Sequence, residues 1–298
     1  PAEFRRLDEL FDELFPICRS IAGPGLRESI EIISKHMPLE IEETPTGTKV
    51  FDWLVPQEWL ISEGHLTGPD GKVYANFERS NLEVVNYSSP VNAQLPWEEL
   101  KAHLHTIENL PSAIPYVTSY YNKNWGFCIP YQQLNRMPEG NYHAYIDSQF
   151  VDGGVNFAHC TIPGETSQGI WLTSYLCHPS LANNELSGPL VLTELYRKIS
   201  AWKRRRYTYH FVIAPETIGT LCYLAKYKDL LINHMVSGMV VTCAGGPAPA
   251  LSYKLSRQEN SLLDRTAGML AVNKQPYYKT RPFDPTSGSD ERQYGAPG

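Results

Sequence analysis

The chain has 298 residues, with 26 lysines and arginines against 32 aspartates and glutamates, a net charge of −6. This length is enough for one large α/β core, or for a core with a smaller module. The mild acidic excess argues against nucleic acid as a partner. A membrane partner is not expected either, because no stretch approaches the ~20 apolar residues that cross a bilayer.

The six cysteines show no Cys-x-x-Cys spacing, and most of them lie in apolar runs. This pattern favours reduced, buried thiols in a cytoplasmic protein. The first residues lack the apolar region of a signal peptide, and the chain begins without a methionine. We therefore expect the reading frame to extend beyond these residues. A homo-oligomer is compatible with the sequence.

Residues 1–38 are predicted to form two helices that cover one face of a sheet. Apolar residues recur at helical spacing from Leu7 to Phe15, and again from Leu26 to Met37. A turn rich in glycine and proline separates the two runs. These helices are predicted to belong to the main domain.

Residues 39–130 are predicted to form a small β-rich module inserted between these helices and the main sheet. Short apolar stretches alternate there with turns. Gly68-Pro-Asp-Gly71 predicts a hairpin, because Asp-Gly accepts the positive φ that a tight turn needs. A short helix is predicted from Pro96, with the proline in its first turn.

Residues 131–298 are predicted to form the main α/β domain, in which strands alternate with helices. Strands are predicted at 142–146, 155–162, 169–177, 207–214, 236–242 and 251–255, and helices at 186–202, 221–232 and 260–272. This alternation predicts an α/β fold with a mostly parallel, doubly wound sheet and helices on both faces. The polar tail stops without a closing element, so we expect the domain to be incomplete at its C-terminus.

Two successive predicted strands end on side chains that can act together. One strand ends at His178, and the next is followed by Glu216. A helix lies between them, so the resulting βαβ unit brings both side chains to one edge of the sheet. Ligands bind beyond the carboxyl ends of such strands. A single histidine there is more often structural than a ligand, but the histidine and the glutamate together predict a site.

Four motifs occur in the order and spacing of the zinc aminopeptidase superfamily. They are Cys177-His178-Pro-Ser, Ala182-Asn-Asn-Glu-Leu-Ser-Gly188, Pro215-Glu216-Thr-Ile-Gly219 and Gly288-Ser-Asp-Glu-Arg292. The chain most resembles the aminopeptidase-like branch, whose members carry an inserted β-domain and usually a C-terminal winged helix, which we do not expect within these residues. The resemblance implies a zinc-exopeptidase-like fold with one or two zinc ions. It also implies hydrolysis of an amide bond next to a free amine, in a peptide or a small amino-acyl substrate.

The resemblance also assigns roles to individual residues. His178 would be a metal ligand, and Asn184 stands at the position that bridges two metals. Glu216 would be the general base that takes a proton from the attacking water. A loop over the pocket would bind substrate through Asp290, Glu291 and Arg292. The guanidinium in that loop could fork onto a substrate carboxylate.

The chain departs from the family pattern around the metal. Asn184 replaces an aspartate, and a neutral amide bridges two dications poorly. Thr217 stands where a second glutamate is usual, and Ser180 where an aspartate would support the histidine. No histidine follows His234 to supply the last ligand. These departures predict at most one metal, and they keep open a second class of function, a non-catalytic binding or scaffold protein with a degenerate metal site.

Overall fold

The computed structural model describes residues 2–274, 276–286 and 289–295. Gly288, the first residue of the fourth motif, lies outside them. The chain divides into two compact units, the second of which is Gln57–Asp152, while the first contains the residues on either side of it. None of the helices over the described residues combines the length and the apolar character that a bilayer span requires.

The helices and strands have the following bounds. The α-helices are Ala2–Leu14 (α1), Pro24–Ser34 (α2), Trp97–Leu100 (α3), Tyr131–Leu134 (α4), Ser187–Ser200 (α5), Ile218–His234 (α6), Leu262–Asn273 (α7) and Glu291–Tyr294 (α8). The strands are Glu40–Pro45 (β1), Lys49–Val50 (β2), Trp53–Leu54 (β3), Glu58–Thr67 (β4), Val73–Asn76 (β5), Val91–Pro96 (β6), Leu104–His105 (β7), Phe127–Cys128 (β8), Asn141–Val151 (β9), Gly154–Ile162 (β10), Gly169–Tyr175 (β11), Thr208–Ala214 (β12), Met235–Val240 (β13), Leu251–Lys254 (β14) and Tyr278–Arg281 (β15).

The first unit is built on a five-stranded sheet with the order β1-β10-β12-β11-β13. Strand β11 pairs in parallel with both β12 and β13, whereas β10 pairs antiparallel with β12 and with β1. The sheet is therefore mixed, and the prediction of a mostly parallel sheet holds only for the three strands β11–β13. The connection at 163–168 is too short for a helical crossover, so β11 runs opposite to β10.

Helices lie on both faces of this sheet. Successive residues of a strand point to opposite faces, and β11 shows the consequence. Its Leu172 is buried in one core with Leu14 of α1, Ile30 of α2 and Leu192 of α5. The preceding Trp171 faces the other way, and its indole N–H donates to the Tyr223 hydroxyl of α6 over 3.0 Å.

Two boundaries of the predicted domains differ from the observed units. Residues 39–56 were predicted to lie in the inserted module, but they belong to the first unit, where β1 is the edge strand of the central sheet. The strand predicted at 142–146 was placed in the main domain, but it is part of β9, which pairs with β4 and β6 in the second unit. The sequence pattern identifies a strand but not its partner, and this explains both differences.

The second unit has a four-stranded antiparallel sheet with the order β5-β4-β9-β6. The predicted hairpin joins β4 to β5, and Gly71 adopts a positive φ of 74° in its turn. Leu66, Phe127 and Tyr142 are fully buried in the core of this unit.

A polar cluster attaches the edge strand β1 to the rest of the first unit. The Glu42 carboxylate accepts hydrogen bonds from His159 Nε2 at 2.9 Å and from Lys226 and Tyr227 of α6. Burial raises the pKa of Glu42, but the hydrogen bonds from Lys226, Tyr227 and His159 outweigh it and lower that pKa to about 2. The cluster therefore favours the ionised carboxylate in the folded state.

This cluster should make unfolding depend on pH below 5. A carboxylate whose pKa is lower in the folded state contributes stability that is present above its unfolded pKa and is lost as the pH falls toward its folded pKa. For Glu42 that window runs from 4.5 down to about 2. We expect Glu42→Gln to unfold more readily than wild type at pH 5.5, and the difference to shrink by pH 3. Denaturant titrations at both pH values measure the difference in the free energy of unfolding between the two proteins. A difference that does not change with pH would contradict the role assigned to Glu42.

Two helical glycines offer a matched test of packing. A Cβ at Gly188, in the first turn of α5, would overlap Ser174 Oγ and the Val241 carbonyl, whereas a Cβ at Gly268 in α7 would meet nothing within 4 Å. We expect Gly188→Ala to lower the free energy of unfolding by about 1–3 kcal/mol through overpacking. Gly268→Ala should raise it by up to about 1 kcal/mol through helix propensity. Equal effects in chemical denaturation would contradict the close packing of α5 on β11.

Candidate functional site

The parallel strands place two polar side chains at the carboxyl edge of the sheet. His178 follows the end of β11, and Glu216 follows the end of β12. His178 Nε2 lies 3.7 Å from Glu216 Oε2. The imidazole is largely buried, with 15% of its side chain exposed, and the Glu216 side chain is 30% exposed. The structure therefore brings these two predicted site residues together, with the glutamate on the more open side.

A buried carboxylate holds the other face of the histidine. Residues 182–186 form a single π-helical turn ahead of α5, and this turn directs Glu185 inward until its side chain is 0% exposed. Glu185 Oε2 accepts a hydrogen bond from His178 Nδ1 at 2.8 Å, and Oε1 accepts one from the backbone N–H of Cys177. Because Ser180 replaces an aspartate, the sequence predicted that this histidine lacks a supporting carboxylate. That prediction is wrong, since Glu185 supplies the carboxylate.

Arg19, which the sequence analysis did not identify, supplies the counter-charge for this carboxylate. Its side chain is 0% exposed, and its Nε lies 3.5 Å from Glu185 Oε1 and 3.2 Å from the His178 carbonyl oxygen. The same guanidinium donates to the Leu14 carbonyl and to Ser29 Oγ. The buried ion pair thus connects the segment between α1 and α2 to the end of β11.

The electrostatics of the site follow from this arrangement. Burial lowers the pKa of His178, but Cys177 and Glu185 outweigh it and raise that pKa. Burial raises the pKa of the Cys177 thiol to about 11, so the thiolate is scarce at neutral pH. Cys177 Sγ also accepts the backbone N–H of Glu216 at 3.3 Å. Cys177 is therefore a packed thiol rather than a nucleophile, because nucleophilic cysteines are thiolates at accessible positions.

Two groups of ligand atoms in the described residues are close enough to hold a metal ion: Cys177 with His178 and Glu185, and Glu40 with Glu42 and His159. In the first group the atoms already hydrogen-bond to one another, and the Arg19 guanidinium beside Glu185 would repel a dication. In the second group Glu42 is engaged by a lysine and a tyrosine. Neither group fits zinc as it stands.

The open edge of His178 fits zinc better. Two ligands on one tetrahedral zinc lie about 3.4 Å apart, given bonds of about 2.1 Å. His178 Nε2 and Glu216 Oε2 are separated by 3.7 Å, and the other histidine nitrogen is already bonded to a carboxylate, as is usual for metal-binding histidines. These are two donors where a catalytic zinc site commonly uses three. The open edge therefore offers donors for at most one ion, which His178 would hold without a second protein ligand if Glu216 acts as the base.

Asn184, predicted at the bridging position, contacts the segment after β13. Its side chain is exposed, and its amide nitrogen faces Cys243 Sγ at 4.0 Å in the segment after β13. The neighbouring Asn183 fixes the same segment, because its Oδ1 accepts the backbone N–H of Gly245 at 2.8 Å. The amide at the predicted bridging position thus contacts the segment after β13, whereas the adjacent Glu185 contacts the histidine.

Asp290, predicted to bind substrate, is buried beside Glu216. Its side chain is 1% exposed, and Oδ1 accepts the Thr217 backbone N–H at 2.6 Å. Burial raises the pKa of Asp290 to about 7, against the hydrogen bonds from Thr217 and Thr220, which lower it. Thr217 has a φ of 62°, which is strained for a β-branched residue. The carboxyl group of Asp290 therefore holds the strained link between Glu216 and α6.

The other two residues of the predicted substrate loop are engaged within the first unit. Glu291 forms an ion pair with Lys254, and its Oε2 accepts the Ser289 backbone N–H at 2.9 Å. Arg292 is half-buried, and its Nε donates to the Ser289 carbonyl at 3.3 Å. The loop is thus internally bonded, with Asp290 as its link to Glu216.

Comparisons with known proteins agree with this architecture. A curated protein of Clostridium acetobutylicum, named for polysaccharide biosynthesis and for an aminopeptidase-like domain, is 41% identical over 289 residues. The match covers 97% of this chain and 66% of the relative, so the chain spans slightly less than two thirds of that protein. A crystal structure from the same organism, provisionally titled as a peptidase, is 39% identical with a TM-score of 0.93, covering 98% of this chain and 68% of that one.

More distant structures share the fold. A zinc aminopeptidase from Bacillus subtilis is 10% identical with a TM-score of 0.60, over 92% of this chain and 78% of that one. At this identity the similarity concerns the fold alone. The family profile described as "Domain of unknown function (DUF4910)" matches residues 8–298. The chain therefore belongs to the DUF4910 family and has a mixed α/β fold similar to that of zinc aminopeptidases.

Proposed function

We propose that this chain is the catalytic part of an aminopeptidase-like zinc hydrolase that cleaves an amide bond next to a free amine, in a peptide or an amino-conjugate. The observation that carries the proposal is the orientation of His178. Its Nδ1 is bonded to the buried Glu185, and its Nε2 faces the Glu216 carboxylate at the carboxyl edge of three parallel strands. The fold similarity to zinc aminopeptidases supports the proposal.

In this proposal the two residues have different tasks. His178 Nε2 would hold a single zinc ion, and Glu216 would lie beside it. Zinc, when bound, acts as a Lewis acid and lowers the pKa of a coordinated water toward ~7. The Glu216 carboxylate, which is 30% exposed, can accept the proton of a water molecule that attacks the scissile carbonyl. Asp290 holds the backbone at Thr217 and so orients the preceding Glu216.

For the substrate, the half-buried Arg292 is the member of the 290–292 loop best suited to contact an anionic group. Asp290 is buried and Glu291 is paired with Lys254, so both carboxylates already have partners within the first unit. A guanidinium can fork onto a carboxylate at the far end of a peptide or amino-conjugate. We therefore assign Asp290 and Glu291 to holding the loop, and Arg292 to substrate contact.

The second candidate function is a non-catalytic binding protein that keeps the pocket without a metal. Two observations favour it: the open edge offers at most two donors rather than three, and the neutral amide of Asn184 contacts Cys243. In that case the row of Glu185, His178 and Glu216 would form a polar pocket for a cationic ligand. The zinc content of the protein distinguishes the hydrolase from the binding protein, because a pocket that does not bind metal retains no zinc after dialysis.

Zinc binding should depend on His178. We expect wild type to bind about one zinc ion per chain, and His178→Ala to lose it, because the histidine supplies the nitrogen donor at the open edge. Calorimetric titration and elemental analysis after dialysis measure the stoichiometry. His159→Ala is the matched control, since it removes the histidine of the other carboxylate cluster. If His159→Ala loses zinc and His178→Ala retains it, the metal binds at the cluster of Glu40, Glu42 and His159, and the proposed site is wrong.

Turnover should depend on Glu216. Glu216→Gln keeps the size of the side chain but cannot accept a proton, so we expect turnover of amino-acyl anilides, with zinc present, to fall by ~10²-fold or more. The melting temperature should change little. Glu78→Gln, at an exposed glutamate of the second unit, is the control and should keep full turnover. Unchanged turnover in Glu216→Gln would remove it from the mechanism. A zinc-loaded wild type that hydrolyses no member of an amino-acyl panel would favour the binding protein.

A further inference from the structure

We propose that Glu185, held in place by Arg19, is the positioning residue that presents Nε2 of His178 to the ligand. This inference rests on the proposed function, since it concerns the histidine that would bind zinc. None of the four motif roles includes Glu185 or Arg19. Both side chains are fully buried, and both contact His178 or the residue before it.

The geometry of the carboxylate fixes the imidazole at two points. One oxygen accepts the Nδ1 hydrogen of His178 at 2.8 Å, and the other accepts the backbone N–H of Cys177. An ionised carboxylate only accepts hydrogen bonds, so Nδ1 must carry a hydrogen. A metal can then be met only by the lone pair of Nε2, which is the atom that faces Glu216 at 3.7 Å. Glu185 therefore sets the orientation of the ring and leaves Nε2 as the nitrogen available to a ligand.

Arg19 makes this arrangement possible in a buried setting. A buried carboxylate without a counter-charge is strongly unfavourable, and the guanidinium at 3.5 Å provides one. Arg19 also donates to the His178 carbonyl at 3.2 Å, so the same residue holds the backbone of the histidine and the carboxylate that holds its ring. His178 is thereby fixed at its ring, at its carbonyl and through the N–H of Cys177.

Replacement of Glu185 by glutamine gives a specific signature. The carboxylate oxygen near Cys177 faces two donors, the Cys177 N–H and the Arg19 guanidinium. A glutamine should turn its carbonyl toward these donors, which directs its NH₂ group at Nδ1 of His178. That nitrogen must then accept and lose its hydrogen, so the neutral ring carries its one hydrogen on Nε2, the ligand position. If the ion pair were purely structural, its replacement would leave the hydrogen on Nδ1.

The experiment records long-range ¹H–¹⁵N spectra of metal-free protein and calorimetric zinc titrations of the same samples. The His178 signals are identified by their absence in His178→Ala. We expect Nδ1 to carry a hydrogen in wild type and to become an acceptor in Glu185→Gln, with zinc affinity reduced about 10–100-fold. Glu42→Gln is the matched control, because Glu42 also bonds a histidine, at 2.9 Å, in the same unit. It should leave the His178 signals and zinc affinity unchanged.

The outcomes separate the inference from the proposed function. Zinc binding lost in His178→Ala, but an unchanged tautomer and affinity in Glu185→Gln, would overturn the role of Glu185 alone. Zinc binding unchanged in both variants would overturn the proposed function, and the tautomer would then decide the positioning role by itself. If Glu185→Gln does not fold, Arg19→Met combined with Glu185→Leu removes both charges at similar volume. Wild-type zinc affinity in that double variant would also overturn the inference.

Discussion

The buried ion pair of Arg19 and Glu185 is the interaction on which the rest of this site depends. It joins a loop near the N-terminus to a turn in the middle of the chain, and both side chains are fully excluded from solvent. Since an unpaired buried charge is strongly destabilising, the first helices cannot pack on the sheet without bringing these two residues together. The packing of α1 and α2 thus sets the position of His178, whose carbonyl and ring both contact the pair.

A second constraint acts on the opposite side of the site. Glu216 is followed by Thr217, whose positive φ of 62° is strained, and the backbone N–H of that threonine donates to the buried Asp290. Backbone strain of this kind persists only where the surroundings impose it. The segment at 289–295 therefore contributes to the site through the backbone, by holding the strained residue that follows Glu216. The two proposed reactive groups are thus held by parts of the chain at its two ends, Arg19 near the first and Asp290 near the last.

The sequence predicted the longer helices and strands of the first unit well, because apolar periodicity and strand-ending turns are local signals, but it missed the short β15 and α8 near the end of the chain. It also predicted that His178 and Glu216 lie close together, since each follows a strand in the βαβ unit. It did not identify Arg19 or Glu185, because their role depends on a tertiary contact between distant segments. One sequence signal could have indicated Glu185: it is a carboxylate in the turn after the histidine, directly ahead of a buried helix. Sheet membership of β1 and β9 was missed for the same reason, since pairing partners are not encoded in local alternation.

Position 184 carries a neutral amide and position 185 a carboxylate, and this order limits the number of metal ions that the site can hold. The amide of Asn184 carries no charge and lies at the surface, whereas the charge of Glu185 is balanced by Arg19 inside the protein. Among the described residues named in the motifs, Glu216 is thus the carboxyl-bearing residue that faces the open edge of His178. One dication beside one carboxylate leaves a single excess positive charge, but two dications would leave three in a partly buried site. If the site holds zinc as proposed, electrostatics therefore favours one ion over two, because the carboxylate of Glu185 supports the histidine from within.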